Sequence, residues 1–175
     1  MKKALVTIFA VVVLMMPVLA MGQTASGTLA VTATVQSSIS MLFNSNAGGV
    51  ALGNAGTNAA TLNFGNISAY GTLAAGVSRT VGAANFTVST PFNVVVQQAN
   101  GSSANYSLTA TLANPDALNT WALSGTAVSN AAPSPLTAAG AYGNPGTAYT
   151  LQLTVPVASA AGAISNTINF AATAN

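Results

Sequence analysis

Apolar side chains alternate with mostly polar ones along residues 28–43, and this alternation constrains the fold more than any other feature of the sequence. The odd-numbered positions are apolar except at Ser37: Leu29, Val31, Ala33, Val35, Ile39, Met41 and Phe43. A period of two indicates extended chain with one apolar face. Because strands usually have about five or six residues, we predict two strands in series, at 28–35 and about 38–43.

The rest of the sequence is also patterned as short strands. Apolar runs of period two are separated by clusters of Gly, Asn and Pro. We predict further strands at 61–66, 77–81, 85–89, 92–97, 106–112, 121–128, 149–157 and 164–172, and turn-rich loops at 44–60 and 129–145. Because no segment has the period of a helix, the predicted fold class is all-β, a Greek-key β-sandwich.

The first residues have the layout of a secretory leader. Lys2 and Lys3 precede an apolar run at 4–16, which is followed by Pro17. Two overlapping sites with small residues two positions apart come next, at 18–20 and 20–22. This order predicts a cleaved signal peptide. The alternative is an uncleaved membrane anchor, which Pro17 and the small residues disfavour.

The leader divides the chain into three predicted parts. The signal peptide covers 1–22, and the mature protein begins at Met21 or Gln23. An N-terminal extension follows at 23–36, and a β-sandwich domain occupies 37–175.

Side chains that carry catalysis are almost absent. The chain has one Asp+Glu, no His and no Cys. It therefore lacks a thiolate nucleophile, Cys-ligated zinc and the commonest general base, and a single acid cannot form a carboxylate pair or a calcium cage. We expect a protein that is not an enzyme and that needs no cofactor or metal.

Beyond the leader, Arg79 and Asp116 are the only charged side chains. One arginine cannot neutralise a row of phosphates, so nucleic acids and anionic membrane surfaces are excluded as partners, and no membrane insertion is expected after leader removal. Near-zero net charge promotes association, so we expect self-association to be the working state. The alternative is a neutral secreted protein kept soluble by Asn, Ser and Thr.

Three side chains are candidates for specific roles. Asp116 follows Asn-Pro and is expected to form a turn. Arg79 either binds a carboxylate across an interface or makes no specific contact. Trp121 either contributes to a sugar-stacking platform or, as is commoner in a sandwich, lies in the core with its indole N–H bonded.

Short motifs occur in a distinctive order after the N-terminal alternation. They are Leu-Asn-Phe-Gly at 62–65, Phe-Thr-Val at 86–88, Tyr-Thr-Leu-Gln-Leu-Thr-Val-Pro at 149–156 and Ala-Gly-Ala-Ile-Ser-Asn-Thr-Ile-Asn-Phe at 161–170. In this order the chain resembles the spore coat U-like and archaic chaperone-usher pilins. Those subunits have an N-terminal extension rich in Val and Thr, an early Leu-x-Phe-Gly and a final strand introduced by Gly-x-x-Ser-x-Thr. Many also carry a disulfide, so this sequence resembles a variant without cysteine.

The resemblance implies an incomplete immunoglobulin-like sandwich that is completed by the N-terminal extension of a neighbouring subunit. The implied donor side chains are Leu29, Val31, Ala33 and Val35. It also implies a head-to-tail homopolymer of identical subunits in an extracellular bacterial pilus that serves adhesion or biofilm formation. A periplasmic chaperone and an outer-membrane usher are the candidate assembly partners.

A second hypothesis comes from a different functional class. In it the protein is a monomeric surface adhesin or carbohydrate-binding β-sandwich, and residues 29–35 pair within their own sheet. The two hypotheses differ in whether residues 28–35 remain on their own domain.

Overall fold

The structure is a computed structural model that describes residues 26–175. The chain divides into two units, Met1–Thr34 and Val35–Asn175. Every strand of the described part lies in the second unit. The predicted signal peptide at 1–22 and its cleavage site lie outside the described residues. In the part that is described, no helix has the length and apolar character needed to cross a bilayer.

Nine strands form within residues 26–175. In chain order they are β1 (Ser38–Ser45), β2 (Ser78–Val81), β3 (Asn85–Ala99), β4 (Tyr106–Leu112), β5 (Thr120–Leu123), β6 (Thr126–Val128), β7 (Ser134–Gly140), β8 (Thr147–Pro156) and β9 (Ile168–Ala174). The larger sheet has the order β1-β3-β8-β5-β6, with β2 also paired to β3, and the smaller sheet has the order β7-β4-β9. All pairs are antiparallel. The predicted all-β class is confirmed.

Both sheets turn an apolar face toward one shared core. Buried and half-buried residues alternate along the whole of β4, and the same alternation runs from Tyr149 to Val155 in β8. In β3 the even-numbered residues from Phe86 to Val96 are buried. Residues of both sheets belong to a single hydrophobic cluster, so the arrangement resembles a β-sandwich.

The strand β3 runs unbroken through Pro91, where the sequence predicts a break between strands at 85–89 and 92–97. On one edge β3 pairs with β2 and then with β1, and Pro91 lies in the gap between these two partners. Backbone N–H groups point alternately to the two sides of a strand, and the position of the N–H that proline lacks is on the side of this gap. Proline is tolerated where no ladder bond is required. The prediction of two strands is therefore wrong.

Two other predictions fail near turn residues. The strand predicted at 121–128 forms β5 and β6, joined through Ser124 and Gly125, which have φ values of 49° and 87°. Two consecutive positive φ angles are typical of a tight hairpin turn. The loop predicted at 129–145 contains β7, an edge strand that includes Pro135 and has shifts in its register with β4. Edge strands tolerate proline, so its presence misled the prediction.

Two predicted strand segments form no strand, and a third begins late. Residues 28–35 have no regular secondary structure, because extended chain becomes a strand only when another strand pairs with its backbone. At 61–66 one isolated bridge forms, between Gly53 and Thr61. The last strand begins at Ile168, later than predicted. The other predicted strands are present, with bounds that differ by a few residues.

Candidate functional site

A large apolar groove opens between the two sheets, and we call it the edge groove. Its volume is about 980 Å³. Core residues of the larger sheet form its floor: Phe92, Trp121, Leu151 and Leu153. Half-buried apolar residues form its walls: Met41, Phe43, Leu62, Phe64, Ile168 and Phe170. The floor residues are buried in the single chain, and the half-buried walls bring apolar side chains to the surface on this side of the domain.

The strand β1 borders the edge groove with unpaired backbone. The N–H of Phe43 donates to the carbonyl oxygen of Thr57 at 2.9 Å, and its carbonyl oxygen accepts from the N–H of Gly56 at 2.7 Å. Both bonds lie on the side away from β3. Bonding direction alternates along a strand, so Ile39 and Met41 present their N–H and C=O groups to that same side. Within residues 26–175 no strand pairs with β1 there.

The strand β9 borders the opposite side in the same way. The N–H of Ala113 donates to the carbonyl oxygen of Thr167 at 2.8 Å, and the N–H of Asn175 donates to that of Asn105 at 3.0 Å. The odd-numbered residues therefore bond toward β4. The backbone groups that point the other way belong to residues whose side chains face the core: Ile168, Phe170 and Ala172. No strand of the described part pairs with this edge.

Three aromatic rings bring the two borders together at one position. The ring centroid of Phe43 on β1 lies 5.1 Å from that of Phe170 on β9, in an edge-to-face arrangement. Phe92 on β3 lies 6.1 Å from Phe170 and 6.4 Å from Phe43. Such contacts contribute about 0.5–1.5 kcal/mol beyond burial, so they stabilise the spacing of the two edges.

The edge groove has no charged lining. Of the two charged side chains in the described part of the sequence, neither Arg79 nor Asp116 contributes to its walls. A charged side chain entering it would be desolvated without a counterion. An apolar trough between two unpaired strand edges has the chemistry to accept one extended peptide with alternating apolar side chains.

The predicted donor residues are exposed in the single chain. The exposed fraction is 88% for Leu29, 79% for Val31 and 75% for Val35, and Ala33 is exposed as well. Large apolar side chains in a row at such exposure indicate an interaction segment. Sequence reasoning identified this segment but not the edge groove. Met41 and Phe43 line the groove, and both lie in the alternating pattern of the sequence. That pattern does not indicate a groove, because a strand whose apolar face is fully buried has the same pattern.

Asp116 and Trp121 have the structural roles expected of them. One carboxylate oxygen of Asp116 accepts from the N–H groups of Leu118 and Asn119, at 3.1 and 2.9 Å. The other accepts from the indole N–H of Trp121 at 2.8 Å. Partial burial raises the pKa of Asp116, but these hydrogen bonds outweigh it and hold the pKa below its ordinary value. Trp121 is buried in the core, where this bond satisfies its polar atom.

Arg79 makes contacts within its own chain. Its guanidinium donates to the carbonyl oxygen of Ser68 at 2.9 Å and to that of Gly71 at 3.1 Å. Arginine presents several donors in a rigid fork, so one side chain can hold two backbone carbonyls. The sequence left open whether Arg79 binds across an interface or makes no specific contact, and the structure gives it a third role, that of fixing a loop.

No family model, curated protein or solved structure matches this chain. The features that bear on its function are therefore the edge groove and the exposed N-terminal segment.

Folding stability is expected to be nearly constant between about pH 5 and pH 9. The lowered pKa of Asp116 gives a contribution that is present above its unfolded value near 3.9 and is lost in acid. Burial, with Tyr106 nearby, raises the pKa of Tyr149, so ionisation of this phenol destabilises the fold only above about pH 10. With no His or Cys, no side chain titrates ordinarily in between. Thermal unfolding across this range, at low and high salt, should give one transition temperature; a steady drift within it would contradict the expectation.

Proposed function

We propose that the chain is a structural subunit of an extracellular filament. Residues 28–35 of one subunit enter the edge groove of the next and complete its immunoglobulin-like Greek-key sandwich as an added strand. The observation that carries the proposal is that one chain has two complementary features. It has an apolar groove between two unpaired strand edges, and it has an exposed segment of alternating apolar residues that pairs with no strand.

The dimensions of the segment support the proposal. Eight extended residues span about 26 Å at about 3.3 Å each, and the seven residues of β9 span about 23 Å on the same scale. A strand of the length of 28–35 therefore runs along the whole of this border. Its main chain would bond β1 on one side and β9 on the other, which joins the two sheets.

The side chains of the segment match the edge groove in character. In extended chain Leu29, Val31, Ala33 and Val35 share one face, which would turn toward the floor. Burying a Val or Leu side chain contributes about 1.5–3 kcal/mol. The segment carries no charge, so its entry leaves no unpaired ion behind. The opposite face, with Thr32 and Thr34, would stay in water.

Strand donation between subunits would produce a polymer, and it fits the low charge of the protein. Donor and acceptor are different surfaces of one chain, so each contact is heterologous, and a heterologous contact that does not close generates a fibre. Edge strands are usually protected by lysine, and the sequence has none beyond Lys3. The predicted leader supports export to the cell surface. A periplasmic chaperone and an outer-membrane usher fit this route as assembly partners, since an exposed groove needs protection before assembly.

The alternative of a monomeric adhesin requires residues 29–35 to be a strand of their own sheet. Residues 26–37 form no strand in the single chain. The lack of a strand there favours the filament over the adhesin.

A competing peptide tests the proposal. A synthetic peptide of residues 26–37 should fill edge grooves and stop filament growth, as seen by electron microscopy and size exclusion. The matched control exchanges Val31 and Thr32 within the peptide, which keeps the composition but breaks the alternation. Filaments that grow equally in both peptides, or a protein that forms no filaments at all, would overturn the proposal.

A further inference from the structure

One wall of the edge groove is itself patterned like a donor strand. Leu62 and Phe64 are half-buried, line the groove and pack against the core cluster. The residues between and beside them, Thr61, Asn63 and Gly65, are exposed. This wall therefore presents apolar side chains two residues apart toward the groove, which is the spacing that a donor segment uses.

Hydrogen bonds to its backbone fix this wall at its ends, and side-chain contacts hold it between them. At one end Thr61 and Gly53 exchange two backbone hydrogen bonds of 2.8 and 2.9 Å. At the other end Arg79 holds the carbonyl oxygens of Ser68 and Gly71. Residues 62–67 make no backbone-to-backbone hydrogen bond within the described part of the chain. We call residues 62–67 the strap, because apolar contacts hold it in place between two anchors.

We infer that the strap is an internal placeholder for the donor strand. In the free subunit Leu62 and Phe64 cover part of the apolar floor, and the arriving segment 28–35 of a neighbour displaces them. This inference rests on the proposed function and adds a regulatory step to the same groove. The strap keeps the floor from water and from other chains until the donor arrives.

The exchange is favourable because the two occupants differ in their backbone bonding. The strap covers the floor with side chains alone, so its release breaks no ladder bond. The donor covers the floor and also satisfies the free edges of β1 and β9. Such a placeholder lowers the apparent affinity of the groove for the donor only moderately. The apparent affinity is the intrinsic affinity multiplied by the fraction of time that the strap is away from the floor.

The first test measures affinity for the donor peptide. The acceptor is the full chain carrying Val31→Asp, which the proposed function keeps monomeric, and the probe is the synthetic peptide of residues 26–37. Adding Phe64→Ser should tighten peptide binding, by about tenfold if the strap is seated about nine-tenths of the time. Asn63→Ser is the matched control and should leave the affinity unchanged. Asn63 is exposed and does not line the edge groove, and a serine hydroxyl can still accept the hydrogen bond that Asn63 accepts from the N–H of Gly65. Weaker binding by the Phe64→Ser acceptor would overturn the placeholder role and make the strap a binding wall.

The second test follows the strap with Leu62 and Phe64 left in place. The protein has no cysteine, so a single Ile67→Cys in the Val31→Asp chain reports on one half-buried position of the strap that lines the groove. Its reaction with a thiol reagent should accelerate when the peptide binds, whereas Asn63→Cys should react fast with or without the peptide. Slower or unchanged labelling at position 67 with the peptide bound would overturn the inference alone. A peptide that fails to bind any acceptor would overturn the proposed function as well.

Discussion

Val31→Asp is expected to abolish filaments while leaving the domain folded. The substitution would place a carboxylate over the apolar floor of the neighbouring subunit, where neither charged residue of the described chain lines the groove. An unpaired buried charge costs several kcal/mol, and about 4 kcal/mol corresponds to roughly a thousandfold loss of affinity. Val31 is 79% exposed in the single chain, so the fold itself loses little. Size exclusion and thermal unfolding measure the two effects separately.

The matched control for this prediction is Thr32→Asp. It introduces the same charge one residue along the chain, on the face that stays in water, so filaments should still form. If Thr32→Asp stops assembly as completely as Val31→Asp, the effect is one of general repulsion and not of groove occupancy. If the Val31→Asp domain unfolds, residue 31 belongs to the fold of its own chain.

Gly140→Ala is expected to destabilise the fold strongly, because Gly140 is buried in the described core. The new Cβ would clash with the ring of Tyr106, which is fully buried. Overpacking of a rigid core costs about 1–3 kcal/mol and occasionally more, and we expect the upper end here. Urea unfolding of the Val31→Asp background measures this without interference from assembly. Gly48→Ala is the control, because its Cβ would meet only ordinary contacts at 3.6 and 3.8 Å; equal losses in both variants would contradict the account of the core.

The strands that the sequence predicts correctly are those whose burial alternates within one segment. Residues 106–112 and 149–157 have their apolar positions in phase, and both become strands with one buried face. Pro91 and Pro135 could not be interpreted correctly from the sequence. Whether a proline interrupts a strand depends on which partner lies beside it, and that is a property of the sheet and not of the segment.

The edge groove could be predicted only in part. The alternation of Leu29, Val31 and Val35 predicts an extended segment with one apolar face, and its proposed donor role comes from the resemblance. The sequence does not distinguish Met41 and Phe43 from core residues, since a half-covered strand and a buried strand have the same pattern. Met41 and Phe43 lie at an unpaired edge because of the strand order. This order brings β1 and β9, the first and last strands of the described chain, next to each other. The sequence predicts a strand at the strap because Leu62 and Phe64 are two residues apart. No strand forms there, because no backbone pairs with this segment.

The central claim is that one subunit's segment 28–35 lies in another subunit's edge groove, and disulfide trapping tests it most directly. Because the chain has no cysteine, two single variants of different mass can be mixed, one with Val31→Cys and one with a cysteine on a groove border at Met41 or Ile168. A disulfide requires Cα atoms about 4.4–6.8 Å apart, so it reports close contact. The control places the second cysteine at Ala171, which is exposed on β9 and does not line the edge groove. The account predicts mixed covalent dimers with Met41→Cys or Ile168→Cys and few with Ala171→Cys, on a non-reducing gel after mild oxidation. Equal yields at Ala171, or no mixed dimer at either groove position, would contradict it.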